Sequence, residues 1–476
     1  MTAAPESIAR TIAGELARRI VALGYRDLPE QAIRWAKIGI LDTVGVTLAG
    51  SVEDCTRIVA GVEGVGAASG PSLIFGSDRR VPALDAALIN GTASHALDFD
   101  DVGESIGGHP SVPLVPAIVA LGEQVGASGK DAILAYVVGF ETESRIARAV
   151  HPHHYDRGWH PTTTVGVFGT VAAAARMLNL TETETATALS IAASLAAGVK
   201  ANFGTMTKPL HVGHSARSGV LAALLAKGGF TAGNRAFEHP HGFFNVFNGA
   251  GNYDAAKVFE NWADPLDIVD PGFGLKQYPC CGSTHPAIDA MLKLRREHAI
   301  DADDVAAIEV LTNPRRLPHT DKPRPTNGLE GKFSIQYVTA RALLDGRVAL
   351  GHFADAAVNE PRIRKLLPLV RAGAHPEMPA ESAEQFAAEV VVTTRAGKRL
   401  AARVPHQICR GLANPMSEGE LWAKFEDCAL RALAPTQARP LFEMLQRLDA
   451  VAALADLTAM IAVRRGAPKL ERKKVG

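Results

Sequence analysis

The chain has 476 residues, 47% of them hydrophobic and 21% charged, which is ordinary globular composition and length enough for two or more structural units. Its 50 Lys and Arg balance 50 Asp and Glu, so no basic field exists to hold a nucleic-acid backbone, and nucleic-acid binding is set aside. The longest apolar stretches, 112–119 (broken by Pro113 and Pro116) and 132–139, fall well short of the roughly 18–20 residues that cross a bilayer, so no membrane partner is expected. The opening MTAAPESIARTIAGELARRI lacks the basic-then-apolar pattern of a secretory signal. Five cysteines form no disulfide framework and no C-x-x-C pair, so a reduced, cytoplasmic setting is expected, with no metal and no cofactor.

Along the chain, helical spacing of apolar residues predicts helices over 8–23, 28–48, 82–95, 113–125, 130–149, 162–178, 182–197 and 214–227. Several are rich in Ala and Gly, which lets helix axes approach closely in a bundle buried on several sides. The pattern changes near Phe273. Residues 305–311 read as a strand, and 387–404 as two alternating runs joined by Arg395-Ala396-Gly397, a hairpin. Helical patches at 334–344 and 362–369 lie between them. The expected fold is mainly α: a large helical domain (1–273 and 405–476) with a smaller α+β domain (274–404) inserted. Ser417-x-x-Glu420 reads as a capping box opening the return to helix, and the tail KLERKKVG as a charged, frayed end.

Five clusters could carry chemistry. The first is His95-Ala-Leu-Asp98-Phe-Asp100-Asp101 with Gly107-Gly108-His109-Pro110, where a loop after a helix presents three carboxylates and an imidazole; the same aspartates could simply cap the next helix. The second is 151–161, in which His160 stands before a helix opening at Pro161; it could meet an anion or merely pack. Its histidines lack a carboxylate partner at helical spacing, so a metal is not expected. The third holds Lys208, placed in extended backbone because Pro209 follows it, and equally readable as a surface lysine. The fourth is Lys276-Gln-Tyr278-Pro279-Cys280-Cys281 with His285, at the change from helical to mixed pattern. The fifth is Gly331-Lys332-Phe333-Ser334 leading to Tyr337, which read alone is a packed aromatic.

Taken together, KIGILDTVGVTLAG, NGTASHALDFDD with GHPS, GKDAILAYVVGFE, RGWHPTTTVGVFG, TKPLHVGHSARSG, YPCCGSTH and EGKFSIQYVTARALLDG resemble, in order and over nearly the whole chain, the MmgE/PrpD family. That family includes 2-methylcitrate dehydratases, cis-aconitate decarboxylases and iminodisuccinate epimerases. The resemblance implies a helical domain carrying an inserted α+β lid, a homodimer, a site between the domains and a small polycarboxylate substrate. It carries catalytic positions onto Asp98, His109, His160, Lys208 and Tyr337, with Cys281 and His285 matching lid positions; His285, Lys276 and Asp101 are expected at the substrate. Three departures weigh against cis-aconitate decarboxylation: Val102 stands where the decarboxylases have threonine, the loop to His109 is one residue longer, and Cys281 replaces their lid histidine. The loop also lacks the Trp-bearing form associated with 2-methylcitrate dehydratases.

The chemistry the resemblance implies is proton gain or loss at carbon beside a carboxylate. It needs a base at the proton and positive charge at the developing oxyanion. Lys208 and an imidazolium would supply the charge, His109 or His160 the proton transfer, Asp98 the orientation of a histidine, and Tyr337 the proton for a leaving hydroxyl. Dehydration is the leading expectation. An epimerase using a Cys281 thiolate, a decarboxylase, and a non-catalytic carboxylate-binding relative are the alternatives.

Overall fold

The computed structural model describes residues 11–405 and 409–463, so the charged tail lies outside the described residues. The chain is mainly helical and divides into two compact units: Met1–Ala96, Asp100–Phe273 and Ser417–Gly476 form one, Leu97–Phe99 with Gly274–Met416 the other. Among the described residues no helix is long and apolar enough to cross a membrane.

The first unit is built on long helices that the apolar spacing marks closely: Glu30–Gly50, Ala83–His95, Ser111–Val125, Gly129–Val150, Gly166–Leu178 and Thr207–Lys227. Reciprocal capping boxes at Ser128/Asp131, Thr181/Glu184 and Ser417/Glu420 satisfy orphan N–H groups at three helix starts. The helix Glu418–Ala429 returns to this unit, where Lys424 pairs with Asp42 at 2.6 Å, both side chains buried. Two expectations need correction. The run expected over 162–178 breaks at Val165, into Pro161–Thr164 and Gly166–Leu178. Lys208 is helical, not extended: Thr207–Lys227 begins one residue before it, and Pro209 falls in the first turn, where a missing N–H forfeits no helical bond.

The second unit is a four-stranded sheet in the order 370–374, 305–312, 388–394, 399–404, with His285–His298 and Ile335–Asp345 against it. Its hairpin is the expected one, with Val390 opposite Ala402 and Gly397 in the left-handed region at the turn. The strand Val370–Ala374, parallel to Val305–Thr312, was not expected: V-R-A-G-A is short, and its small residues carry little alternation. The core of this unit joins Ile288, Met291, Leu294, Ile308, Val310, Val338, Val390 and Val392.

Candidate active site

In the first unit, imidazoles from three separate stretches of chain meet. His95 closes the helix Ala83–His95, His109 stands before Ser111–Val125, and His160 caps Pro161–Thr164, its backbone N–H donating to Gly198 C=O at 3.0 Å. The His95 and His109 rings meet edge to face with centroids 4.7 Å apart, and His95 stacks on His160 at 5.7 Å. Phe203 lies edge-on to His160 at 4.8 Å and carries the Lys208 Nζ 5.2 Å from its centroid. His211, one turn beyond Lys208, brings its Nδ1 within 3.3 Å of His160 Nδ1.

Asp100 organises this cluster. One oxygen, Oδ2, faces His95 Nδ1 at 2.8 Å and His109 Nδ1 at 3.0 Å, and His109 Nδ1 also lies 2.6 Å from Asp101 C=O. Burial opposes ionisation of Asp100, but His109 and His95 outweigh it and hold the carboxyl well below its ordinary range. Burial lowers His95 to about 4 despite Asp100. Burial, with His95, Lys208, His109 and His211, likewise holds His160 well below the usual imidazole range, so that ring is neutral at neutral pH. Its Nε2 is buried and has no hydrogen-bond partner; the same is true of His95 Nε2 and Asp100 Oδ1.

His95, Asp100 and His109 also bring ligand atoms within 4.8 Å of one another, which makes them a geometrically possible cation site. Both Nδ1 atoms, however, already face one oxygen of the carboxylate, Oδ2, which accepts from ring N–H groups.

Behind the imidazoles lies a set of buried carboxyls. Asp101, expected at the substrate, instead turns inward: both its oxygens accept from Ser111, whose hydroxyl also meets Tyr136 OH. Burial, with Asp100 and Asp42 nearby, raises Asp101 to about 8, against the Ser111 bonds. Glu143 is raised well above its usual range by burial and by Asp101, and both its oxygens are buried without partners. These groups hold protons in the interior.

The other expected residues belong to the second unit. Asp98 adopts φ +53° and is clasped by Lys276, whose Nζ donates to Asp98 C=O at 2.8 Å and pairs with Oδ1 at 3.1 Å; Lys332 donates to the neighbouring Leu97 C=O. Within the first unit, the carboxylate that faces imidazoles is Asp100, two residues past Asp98. Burial pushes the Cys281 thiol up, with Asp98 adding to the shift, the reverse of what a thiolate base needs. His285 is buried, its Nε2 3.3 Å from Cys280 C=O and its ring edge-on to Tyr278. Tyr337 is buried, its hydroxyl donating to His352 C=O and accepting from Arg341 Nε at 3.1 Å, as a packed aromatic would.

Sequence reading brought His109, His160 and Lys208 forward and missed His95, Asp100 and His211. A signal existed for Asp100 and His95, which flank Asp98 in one motif, but nothing in spacing says which aspartate turns toward a ring. His211 stands one helical turn from Lys208, a relation hidden while Lys208 is read as extended.

The MmgE/PrpD N-terminal domain matches residues 14–256, and the MmgE/PrpD C-terminal domain matches 278–450. The chain is 30% identical over 468 residues to a human cis-aconitate decarboxylase, covering 95% of each chain. It is 25% identical over 463 residues to an Aspergillus terreus cis-aconitate decarboxylase, covering 92% of this chain and 93% of the relative. It is also 25% identical over 357 residues to a Yarrowia lipolytica mitochondrial 2-methylcitrate dehydratase, covering 70% and 67%. The chain belongs to the MmgE/PrpD family.

Proposed function

We propose that this MmgE/PrpD protein is a lyase that dehydrates a small di- or tricarboxylate of the 2-methylcitrate class through a carboxylate-stabilised carbanion. The observation that carries the reading is His160 Nε2: buried, without a partner, on a ring held neutral, beside Asp100-backed His109 and Lys208. With Nδ1–H donated to His211, the Nε2 lone pair of His160 takes a proton from the carbon next to a substrate carboxylate. The C–H electron pair spreads into that carboxylate, where Lys208 ammonium stabilises it. The hydroxyl on the adjacent carbon leaves with its bonding electrons and a proton from His109 Nε2, as water, and a carbon–carbon double bond forms. Asp100 balances the positive charge on His109 before the transfer.

Decarboxylation is the second reading, favoured by the 30% identity with a cis-aconitate decarboxylase over 95% of both chains. It requires an acid that protonates the carbanion after CO2 leaves, but no base at carbon, so the neutral His160 supports dehydration over it. An epimerase loses support because the Cys281 thiol is shifted away from the thiolate. A cytoplasmic homodimer goes with this reading, supported by family resemblance and by the reduced cysteine pattern, and is checked by light scattering and by fractionation of the source cells. The function is tested by proton NMR in deuterium oxide with citrate, 2-methylcitrate and cis-aconitate. A new double bond with all carboxyl carbons kept, read as a vinylic proton from citrate and as a methyl signal moved to an alkene carbon from 2-methylcitrate, means dehydration; loss of a carboxyl carbon as CO2 means decarboxylation. Neither change with any of the three compounds rejects the lyase.

A further inference from the structure

We propose that Asp100 is a positioning residue that fixes the tautomer of His109, with His95 sharing the same carboxylate, an assignment that deepens the dehydration reading and rests on it. His109 Nδ1 has two neighbours, Asp100 Oδ2 at 3.0 Å and Asp101 C=O at 2.6 Å, and an ionised carboxylate and a carbonyl both only accept. Nδ1 therefore carries the hydrogen. The same logic fixes His95, whose Nδ1 lies 2.8 Å from the same oxygen. Accessibility separates the two rings: the side chains of His95 and Asp100 are 0% exposed, that of His109 13%. Of the two rings hung on Asp100, His109 is the more exposed.

His95 has a separate consequence. The same oxygen of Asp100 faces both rings, so the two N–H groups share one acceptor. His95 also fills the space between His109 and His160, touching one by its edge and stacking on the other. The charged and titratable groups around this pair are His109, His160 and Lys208 facing His95, and Asp101 facing Asp100. Withdrawing the His95 N–H leaves Asp100 wholly to His109.

The test uses the full-length protein with ring-15N-labelled histidine, and the variants Asp100→Asn, Asp100→Glu and His95→Phe. In the unaltered protein the ring-nitrogen spectra are expected to show protonated Nδ1 on both His95 and His109; an unprotonated Nδ1 on either ring overturns the proposal. In Asp100→Asn the His109 ring is expected to shift toward the Nε2–H tautomer. On whichever of the three compounds is turned over, kcat is expected to fall by about 10²–10⁴-fold, with KM moving far less. Asp100→Glu, which keeps the charge, is expected to recover at least about tenfold of that loss. Unchanged ring signals in Asp100→Asn, or a raised KM with kcat intact, reject the Asp100 assignment. If circular dichroism shows Asp100→Asn unfolded, Asp100→Glu and the unaltered protein still decide, because a purely structural carboxylate would give Asp100→Glu unshifted ring signals and full kcat. His95→Phe keeps the ring's bulk and leaves Asp100 to His109, so the His109 ring is expected to keep its Nδ1–H; a shift toward the Nε2–H tautomer would show that His95, and not Asp100, holds the ring, and overturns the assignment. Should none of the three compounds react, the dehydration reading falls, while the ring-nitrogen spectra still decide the role of Asp100.

Discussion

Gly91 and Gly213 meet backbone to backbone, where a Cβ on Gly91 would come within 2.8 Å of Gly213 Cα. They lie on Ala83–His95 and Thr207–Lys227, the helices that carry His95 at one end and Lys208 at the other. A Cβ on Gly213 would in turn run into Leu88 C=O, which is backbone and cannot swing aside, and into the Thr92 hydroxyl. Gly213→Ala should destabilise the first unit by about 2–3 kcal/mol, the usual cost of overpacking, despite the better helix propensity of Ala. Urea unfolding followed by circular dichroism measures it. Gly419→Ala, in a first helical turn with nothing within 4 Å of the added carbon, is the control and should stay within about 0.5 kcal/mol of the parent.

Lys208 acts on charge at a distance. Its ammonium is one of the influences that lower His160 and His95, behind burial. Removing a positive neighbour favours the protonated imidazole, so Lys208→Met should raise the pH at which His160 takes up a proton. An NMR titration of the His160 ring reads this directly; an unmoved or lowered midpoint contradicts it. Turnover should fall by about a hundredfold or more, because the developing oxyanion loses its ammonium.

The elements that sequence patterning located are those whose spacing has one physical reading. Long amphipathic runs such as Gly129–Val150 and the alternating hairpin strands could hardly be anything else. What escaped depends on tertiary contact. The strand Val370–Ala374 gains its identity from Val305–Thr312 beside it, and the helix turn at Lys208 from the tolerance of a first turn for proline. At the site, residue types named the imidazoles and the lysine. Which of three aspartates in D-F-D-D turns to an imidazole is decided by backbone geometry: Asp98, in the left-handed region, meets Lys276, while Asp100 turns to His95 and His109.

Asp101 predicts an unusual dependence of stability on pH. In the folded chain it keeps its proton to about 8, while unfolded it ionises near the ordinary 3.8. Between those values the native state binds more protons than the unfolded state, so stability is fully present below about 3.8 and is lost as pH rises toward about 8. Asp101→Asn should flatten this slope by up to about 1.4 kcal/mol per pH unit. A residual slope remains from Glu143, which is shifted in the same direction. Urea midpoints measured across the range test the sign, and a variant that loses stability with rising pH as steeply as the parent contradicts it.

His160 predicts the acid side of catalysis. A free imidazole would lose its basic form as pH falls through about 6.5, but burial and four cationic or imidazole neighbours hold this ring well below that value. The acid limb of the rate set by the neutral form of His160 should therefore lie below pH 6.5, and activity should persist in weakly acidic buffer. Stability moves the same way: His95 and His160 bind fewer protons folded than unfolded, so their contribution is present above about 6.5 and is lost as pH falls, for His95 through about 4. His160→Gln, without a basic ring nitrogen, should lose about a hundredfold or more in turnover and in deuterium exchange at the substrate carbon alike. Loss of turnover with exchange preserved would move the base elsewhere, because a ring that removes the carbon proton must control both.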